Sequence, residues 1–419
     1  MEMKTRIKTA VESSRDDIVA FLSSLVRINS ETGNEGRIQG FIAKTLTEMD
    51  LEVDQWEVDS NKLAGHPGYL PVIDYDFSDR PNVVGVLRGT GGGRSLLLNG
   101  HVDTITCEPE DEWRISPLSG KVIDGKLYGR GTSDMKSGLA AMTMAVKILK
   151  ETGFQPKGDI ILEYVVDEEV TGYGTLSAIE RGYRADAGIC CETSNLAVQP
   201  ACIGRLWFTV EVHGKSSSIS NRWESVSAIE KGIKIVQAVE DFERIRIADL
   251  RHPLYPDNRG ALPCAVCMFN AGTFPSATPE QAVLKGSMGL LPYEDVDTVK
   301  ESFVRHINYI CQADPWLRNN PPAITFKDLG ADGAEIPVDA PIVTAVIDAF
   351  YEATGTTPEV SGRLGGSDTR YLIKYGDTPT VIFGPGITDQ MHATNEFVPV
   401  ENLITATKVL ALAIYDWCG

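Results

Sequence analysis

The chain has 419 residues, of which 42% are hydrophobic and 23% are charged, an ordinary composition for a globular protein with more than one domain. Its formal net charge of −19 argues against nucleic acids and anionic membranes as partners, because like charges repel each other. The start of the chain lacks the apolar segment of a secretory signal, and no run approaches the roughly 18 apolar residues that span a bilayer. We therefore expect a cytoplasmic protein whose eight cysteines are reduced and mostly buried.

The first part of the chain alternates between helical and strand patterns. Apolar residues at three- and four-residue spacing predict a helix, a turn and a second helix between Arg6 and Asp50. Short β-branched or leucine-rich runs then alternate with helices, which predicts an α/β fold with a mixed, mostly parallel sheet flanked by helices. The predicted strands span residues 82–87, 95–98, 159–166 and 187–191, and the predicted helices span residues 135–151 and 173–181.

The pattern changes after Gly204. Residues 206–212 alternate between apolar and polar side chains, as a half-exposed strand does. Counting this strand as the first, the predicted order is strand, helix, strand, strand, helix, strand, which is the ferredoxin-like split βαβ arrangement. We therefore predict an inserted domain at residues 206–328, within a discontinuous domain of residues 1–205 and 329–419. The remaining predicted elements are a helix after Pro341, a strand at residues 380–383 and a final helix at residues 400–417.

Three segments place metal-binding side chains at strand or helix ends. A leucine-rich strand ends at His101, and Asp103 follows where it could fix the second ring nitrogen of that histidine; the alternative is a strand-end histidine with a capping aspartate. A glycine-rich run leads to Asp134 at a helix start, where a carboxylate either caps its own helix or bridges two cations. A buried strand ends in three successive acids, the last two being Glu168 and Glu169, which repel each other unless a cation or a proton intervenes.

Two further segments extend this set. Glu192 closes another buried strand, and His392 lies in a loop that follows a strand and a tight turn. Because ligands bind at the carboxyl ends of strands in open α/β sheets, we expect these side chains to meet at one edge of the sheet. A mixture of imidazoles and carboxylates without thiolates suits Zn²⁺, Co²⁺ or Mn²⁺.

In this order and with these spacings, the five segments resemble the co-catalytic metallohydrolases that include acetylornithine deacetylase, succinyl-diaminopimelate desuccinylase, aminoacylase and glutamate carboxypeptidase. The resemblance covers nearly the whole chain. It implies a zinc-peptidase-like catalytic domain with an inserted ferredoxin-like lid and dimerisation domain, and hence a homodimer or higher homo-oligomer. It also implies two divalent metal ions. The implied roles are one ion held by His101 and Glu192, the other by Glu169 and His392, a bridge by Asp134, proton transfer by Glu168, and orientation of His101 by Asp103.

These roles imply a hydrolase, of the amidohydrolase or deacylase type, that cleaves a C–N bond in a small, non-standard substrate. Two cations close together lower the pKa of a shared water and polarise the substrate. Glu168 would take the proton of that water and hand it to the departing nitrogen. That task requires a carboxylate whose pKa is raised by its neighbours.

The predicted inserted domain departs from the family pattern. Ser218 stands where the family has a histidine that reaches the substrate oxyanion, and Gly289 stands where an arginine often grips a substrate carboxylate. An ordinary amino-acid deacetylase is therefore disfavoured. Losing an oxyanion donor costs about 3–4 kcal/mol of transition-state stabilisation, so we expect another group to replace it. The candidates for binding substrate are Ser217, Ser218, Arg205, Arg222, Arg259 and Arg363.

Two other functions fit these departures. A hydrolytic deaminase would release ammonia from an electron-poor aromatic amine and would develop no carbonyl oxyanion at that place. A metal-containing but inactive binding protein is the third alternative, although such a protein would have no use for a base at Glu168.

Overall fold

The structure, a computed structural model, describes residues 2–69, 76–327 and 329–419. The chain divides into two compact units. The first unit comprises Met1–Ala201, Ile336–Ser361 and Ser367–Gly419, and the second comprises Cys202–Glu335 and Gly362–Gly366. The sequence predicts domain boundaries after residues 205 and 328, whereas the division between the two units falls at residues 201/202 and 335/336. The predicted boundaries stay a prediction, and Asp328 lies outside the described residues.

The helices of the described residues are α1 Met3–Ser13, α2 Arg15–Arg27, α3 Gly36–Glu48, α4 Ser60–Leu63, α5 Ser137–Glu151, α6 Tyr173–Glu180, α7 Ala228–Asp249, α8 Asn258–Ala261, α9 Val296–Cys311, α10 Pro341–Thr354, α11 Thr369–Lys374 and α12 Val400–Cys418. The strands are β1 Glu52–Glu57, β2 Pro81–Leu87, β3 Leu96–His101, β4 Lys121–Ile123, β5 Lys126–Tyr128, β6 Ile160–Val165, β7 Ala187–Cys190, β8 Val198–Cys202, β9 Gly204–His213, β10 Cys264–Ala271, β11 Gln281–Leu290, β12 Ala323–Thr325, β13 Gly330–Ala331, β14 Ala334–Glu335, β15 Val360–Arg363, β16 Thr380–Ile382 and β17 Phe397–Pro399.

The first unit is built on a central sheet whose order includes β1-β2-β6-β3-β7-β16-β8. Strands β6, β3, β7 and β16 run parallel to one another, whereas β1, β2 and β8 pair antiparallel at the two sides. Every residue of β3 and β6 is buried, because helices cover both faces of a parallel sheet. The prediction of an α/β fold with a mixed sheet is confirmed, and the parallel pairs are concentrated in its centre.

Helix α5 packs against α12, which in turn packs against α10. Almost all of α5 is buried, and the residues that are not, Lys147, Lys150 and Glu151, are charged and lie toward its C-terminal end. Gly138 at its first turn is required by a close approach, since a Cβ there would lie 1.8 Å from the carbonyl oxygen of Cys191. This contact holds the start of α5 against the end of β7 and brings the segments of Asp134 and Glu192 together.

The N-terminal segment has one more helix than the sequence predicts. The first predicted helix is divided at Ser14, whose backbone has a ψ of 11° and which links α1 to α2. The serine pair at 13 and 14 favours such a break, because serine side chains compete for backbone hydrogen bonds. Between them, α1 and α2 bury Ile7, Val11, Ile18 and Leu22 in the core of the first unit.

The second unit contains an antiparallel sheet with the order β10-β11-β9-β12. Helices α7 and α9 pack together and contribute to a separate apolar core that includes Phe208, Phe242 and Phe303. Its main elements follow the order β9, α7, β10, β11, α9, β12, which is the order that the sequence predicts. The role of this unit as a lid stays a prediction.

All eight cysteines are free thiols, and only Cys267 among them is exposed. None of the helices in the described ranges combines the length and the apolar character needed to cross a membrane. A cytoplasmic location stays a prediction.

Candidate metal centre

His101 lies at the end of β3 with only 2% of its surface exposed. Its Nε2 atom is 3.1 Å from Oδ1 of Asp134 and 3.4 Å from Oε1 of Glu192. Its Nδ1 atom is 3.0 Å from the backbone carbonyl oxygen of Asp103 and 3.5 Å from Oδ1 of the same residue. The imidazole is therefore held from one side by Asp103, chiefly through the carbonyl, and its other nitrogen faces two carboxylates.

The carboxylate of Asp103 also orients the acids that follow β6. Its oxygens accept the backbone N–H groups of Glu168 and Glu169, each at 3.2 Å, and the Thr32 hydroxyl at 3.1 Å. Asp103 thus links the end of β3 to the end of β6, the neighbouring parallel strand.

Asp134 lies in a π-helical turn, Thr132–Lys136, immediately before α5. Its backbone is not helical, with φ −117° and ψ 96°, and its side chain makes no capping hydrogen bond with α5. One oxygen, Oδ1, faces His101, and the other, Oδ2, is 3.6 Å from Nε2 of His392. Of the two interpretations left open by the sequence, the geometry therefore favours a carboxylate shared between two positions over a helix cap.

His392 lies in a loop near Glu169. Its Nε2 atom is 3.0 Å from Oε2 and 3.2 Å from Oε1 of Glu169. The backbone of His392 has a φ of +60°, a left-handed conformation that is uncommon for a residue with a side chain and that clusters at functional sites. About half of the side chain, 49%, is exposed, in contrast to His101.

Two groups of three side chains have ligand atoms within 4.8 Å of one another. One group consists of His101, Asp134 and Glu169, and the other of His101, Glu168 and Glu192. Glu192 also accepts the backbone N–H of Thr193 at 2.7 Å, which leaves its other oxygen toward His101. All seven side chains assigned from the family resemblance therefore lie within the first unit and around one locus.

The charges of this locus perturb one another strongly. Burial alone would lower the pKa of His101, but the carboxylates of Asp103, Asp134 and Glu192 raise it well above its usual value. The hydrogen bond to Glu169 raises the pKa of His392. Burial raises the pKa of Glu168 far above its ordinary value, and the negative charges of Asp368, Glu192 and Glu169 act in the same direction.

The donor set fits divalent cations. Four carboxylates that converge on two imidazoles concentrate negative charge in a buried place, and such a cluster is stabilised by bound positive charge. Nitrogen and oxygen donors without a thiolate match the preferences of zinc, manganese and cobalt. The same carboxylates that would attract a cation raise the pKa of His101 and of His392. A proton and a metal ion compete for the same ring nitrogens.

The candidate substrate-binding residues all lie in the second unit. Arg222 is paired with Glu230, Arg259 with Asp257, and Arg363 donates to the carbonyl of Gly366. The Ser218 hydroxyl accepts the N–H of Ser220 at the start of a short 3₁₀ helix, and the Ser217 carbonyl accepts the N–H of Thr278. Within the described ranges, the guanidinium of Arg205 has no hydrogen-bond or ion-pair partner, and its partial burial lowers its pKa.

Sequence reasoning missed two charged residues at the start of α11, Asp368 immediately before the helix and Arg370 in its first turn. Asp368 is buried, its Oδ2 accepts the Thr175 hydroxyl at 2.6 Å, and its Oδ1 has no hydrogen-bond partner among the described residues. Burial raises the pKa of Asp368 to about 6. Arg370 lies over the ring of Tyr371, with 4.5 Å from Cζ to the ring centroid, and its charge interacts with Asp368 and Glu168. The run Gly365-Gly366-Ser367-Asp368 before a helix was the signal that could have identified them.

Comparisons with known proteins agree with this geometry. Residues 97–416 match the sequence profile of Peptidase family M20/M25/M40. The chain is 29% identical over 435 residues to N-formyl-4-amino-5-aminomethyl-2-methylpyrimidine deformylase from Halalkalibacterium halodurans, with 97% of this chain and 96% of that protein covered. Among solved structures, aminopeptidase PepT from Bacillus cereus has a TM-score of 0.72 at 22% identity, with 97% of this chain and 99% of that chain covered. The YXEP protein from Bacillus subtilis, a dinuclear metal-binding peptidase of the M20 family, has a TM-score of 0.66 at 16% identity, with 97% and 99% covered.

Fold, site and similarities together define a metal-dependent hydrolase that acts on a C–N bond of a small molecule. The chain belongs to peptidase family M20/M25/M40, because the family profile matches well over half of its length. The family resemblance inferred from the sequence is thereby confirmed, and the alternative of an inactive binding protein is not retained.

Proposed function

We propose that this chain removes a formyl group, or another small acyl group, from an amino nitrogen of a compound of the aminomethylpyrimidine type. The similarity to the deformylase over nearly the full length of both chains carries this proposal. Hydrolysis of such an amide releases formate and the free amine, so it is a C–N cleavage of the class already established.

Gly289 stands where the family often has an arginine that binds a substrate carboxylate, and this difference supports the choice of substrate. A formylated aminopyrimidine carries no carboxylate, so its hydrolase does not need the arginine that Gly289 replaces. A Cβ at position 289 would lie 2.2 Å from the carbonyl oxygen of Ala261, so this backbone leaves no room for a longer side chain. Arg246 donates to the Gly289 carbonyl at 2.8 Å and pairs with Glu294 at 2.6 Å, so it is already engaged.

We propose two divalent ions, zinc, manganese or cobalt, as cofactors. His101 and Glu192 would hold one, His392 and Glu169 the other, and the two oxygens of Asp134 would serve both. When bound, such a pair supplies Lewis acidity toward the substrate carbonyl and toward water. That His101 and His392 face opposite oxygens of Asp134, at 3.1 and 3.6 Å, is the geometric support for the bridge.

Glu168 is proposed as the group that moves protons. It would accept a proton from the attacking water at a carboxylate oxygen and donate it to the amide nitrogen as the C–N bond breaks. Burial and neighbouring acids raise its pKa, and a carboxylate with a raised pKa can perform both steps near neutral pH.

Arg205 is the arginine that we propose as a substrate-binding group. The other three candidates in the second unit have carboxylate or carbonyl partners, whereas the Arg205 guanidinium has none in the described parts of the chain. An unengaged, partly buried guanidinium can donate hydrogen bonds to an oxygen or ring nitrogen of a ligand.

We also propose a homodimer formed through the second unit. Strand β10 lies at one end of the sheet order, and an exposed edge strand is a template for pairing with a second copy. The exposed apolar side chains of this unit include Ile229 and Ile233 of α7, Met268 and Phe269 of β10, Ile219 and Trp223 of the short 3₁₀ helix after Ser218, and Phe274. Light scattering of a Met268→Lys variant tests the proposal, because a dimer through β10 predicts a monomer.

The substrate proposal is tested by product analysis of the metal-loaded protein. Formylated, acetylated and succinylated amines and a free aminopyrimidine are offered in parallel, and formate, carboxylate and ammonia are measured separately. The expected result is formate release from the formylated aminopyrimidine with the highest kcat/KM. Ammonia release from the free aminopyrimidine would favour the deaminase alternative, and a preference for succinylated or acetylated amino acids would contradict the proposal.

A further inference from the structure

A buried ion pair lies behind the candidate centre. Glu396 and Arg130 are 1% and 5% exposed, and Nη1 of Arg130 is 3.1 Å from Oε2 of Glu396. Neither residue belongs to the groups of candidate metal ligands, and neither was identified from the sequence. Arg130 also lies over the ring of Trp113, with 4.9 Å from Cζ to the ring centroid.

The Glu396 carboxylate accepts hydrogen bonds from the backbone of the segment that carries Asp134. Its Oε1 accepts the N–H groups of Ser133 at 2.7 Å and Asp134 at 3.1 Å, and its Oε2 accepts the N–H of Gly131 at 2.9 Å. With Arg130, the carboxylate therefore has four donors, which is close to its full capacity. The backbone of Asp134 is not helical, so these bonds replace the ones a helix would supply.

Arg130 makes a second contact with the loop of the exposed histidine. The same Nη1 atom donates to the carbonyl oxygen of Ala393, the residue after His392, at 3.1 Å. Strands β5 and β17 pair on the adjoining stretch, with Phe397 opposite Tyr128, and the N–H of Gly129 donates to the Glu396 carbonyl at 2.9 Å. The segment of Arg130 and the segment of Glu396, more than 250 positions apart in the chain, are thus joined by the backbone hydrogen bonds of β5 with β17 and by the ion pair next to them.

We infer that the Arg130–Glu396 pair is a positioning device that sets the spacing between Asp134 and His392 and thereby controls metal affinity on the His392 side. Glu396 holds the backbone of the bridging residue, and Arg130 holds the loop of the histidine. Each of these contacts is a hydrogen bond to the main chain. The pair therefore fixes the backbone positions from which the side chains of Asp134 and His392 extend. The inference rests on the proposed dinuclear centre.

The inference predicts different effects for the two partners. Arg130→Met removes the contact with Ala393 and leaves the Glu396 carboxylate on the Asp134 backbone, so it should weaken the His392 side alone. Glu396→Gln places amide hydrogens against N–H donors and disturbs the bridging residue itself, so it should weaken both ions. Outer contacts of metal ligands typically affect metal affinity by about 10–100-fold.

The experiment is calorimetric titration of metal-stripped, full-length protein with Zn²⁺, with the visible spectrum of the Co²⁺-loaded protein as a second readout. In Arg130→Met we expect the Kd of the weaker ion to rise by about 10–100-fold, with little change for the tighter ion and a changed cobalt spectrum. Arg130→Lys, which keeps the charge and one donor, should restore part of the affinity. Arg15→Met is the matched control, because it removes the exposed Arg15–Glu401 pair of 2.7 Å.

The outcomes separate the inference from the centre on which it rests. If the wild-type protein binds no pair of ions, the proposed centre is wrong and the inference fails with it. If the wild type binds two ions and the Arg130→Met and Arg130→Lys proteins bind both with unchanged Kd, the inference alone is wrong. Near-UV circular dichroism identifies variants that keep the native fold. If Arg130→Met does not fold, the lysine variant decides the question, because the inference requires weaker binding on the His392 side there too.

Discussion

The two halves of the candidate centre use the same chemistry on different supports. His101 and Glu192 are each 2% exposed; His101 ends β3 and Glu192 follows β7, two parallel strands that are hydrogen-bonded to each other. His392 is 49% exposed and lies in a loop with left-handed backbone. A ligand on a packed strand keeps its position without a metal ion, whereas a ligand on an exposed loop gains order when the ion binds. We therefore expect the proposed dinuclear centre to combine one firmly held ion position with one that exchanges its ion more readily.

Glu168→Gln tests the function that both halves serve, and it has the largest expected effect. The amide has nearly the same shape as the carboxylate but cannot accept the proton of water. We expect kcat to fall by about 10²–10⁴-fold while both ions stay bound, as measured by steady-state kinetics and metal analysis. A variant that keeps its ions and its full kcat would show that Glu168 is not the proton-transferring group.

Single histidine variants test the comparison itself. His392→Ala should retain one tightly bound ion, because His101, Glu192 and Asp134 remain. His101→Ala should disturb both ions, since its Nε2 atom lies next to the bridging carboxylate at 3.1 Å. Metal analysis after dialysis gives the stoichiometry, and equal losses in the two variants would contradict the idea of unequal halves.

Removal of metal from the wild-type protein should occur in two phases. A chelator is expected to take the ion on the His392 side first, with rates that differ by about tenfold for each 1.4 kcal/mol between the two positions. Residual activity and metal content are followed together over time. A single phase for both ions would mean that the exposed loop does not make its ion easier to release.

Arg205→Met extends the comparison to substrate binding, because Arg205 belongs to neither half of the centre and lies in the second unit. The loss of a charge-assisted hydrogen bond of about 1.5–3 kcal/mol should raise KM about tenfold or more, with metal content unchanged. Arg259→Met is the matched control, because Arg259 is exposed and already paired with Asp257. Equal KM values in the two variants would remove Arg205 from the proposed site.

The smallest effect is expected at a buried acid outside both halves. Glu163 is fully buried, Asn99 donates to its Oε2 at 3.0 Å, and its Oε1 has no partner among the described residues. Burial raises its pKa to about 8, so the folded state keeps a proton that the unfolded state releases above about pH 4.5. Stability from this group is therefore complete at low pH and falls as the pH rises toward 8.

Glu163→Gln should remove that part of the pH dependence. At pH 8 the variant should be more stable than the wild type by at least about 1 kcal/mol, and at pH 4 the two should be similar. Urea unfolding at both pH values measures this, with and without metal. If the pH profiles are the same, Glu163 does not hold its proton in the folded state.

Much of the fold and the core of the site follow from local sequence patterns. A leucine run that ends in His101 and a β-branched run that ends in Glu168 and Glu169 reveal both a buried strand and the chemistry at its tip, because parallel strands place their ends at one edge. The assignment of each ligand to one ion came from the family resemblance and stays a proposal.

The remaining parts could not be read from the sequence because they depend on contacts between distant loops. Glu396 and Arg130 look like ordinary surface charges in the sequence, and their burial results from the pairing of β5 with β17. Arg370 and Asp368 become relevant only because the turn before α11 packs near the loop that follows β6, where Gly172 lies against Asp368. No periodicity along the chain records such an encounter.

The interruption of the first unit has a consequence for how the protein is made. The ribosome delivers His101, Asp134, Glu169 and Glu192 long before His392, which follows the return of the chain at Ile336. A nascent chain can therefore bring His101, Asp134 and Glu192, the proposed ligands of one ion, together before His392 has been synthesised. In the proposed centre, the position of His392 can be completed only after the inserted second unit has been synthesised and the chain has returned to the first unit.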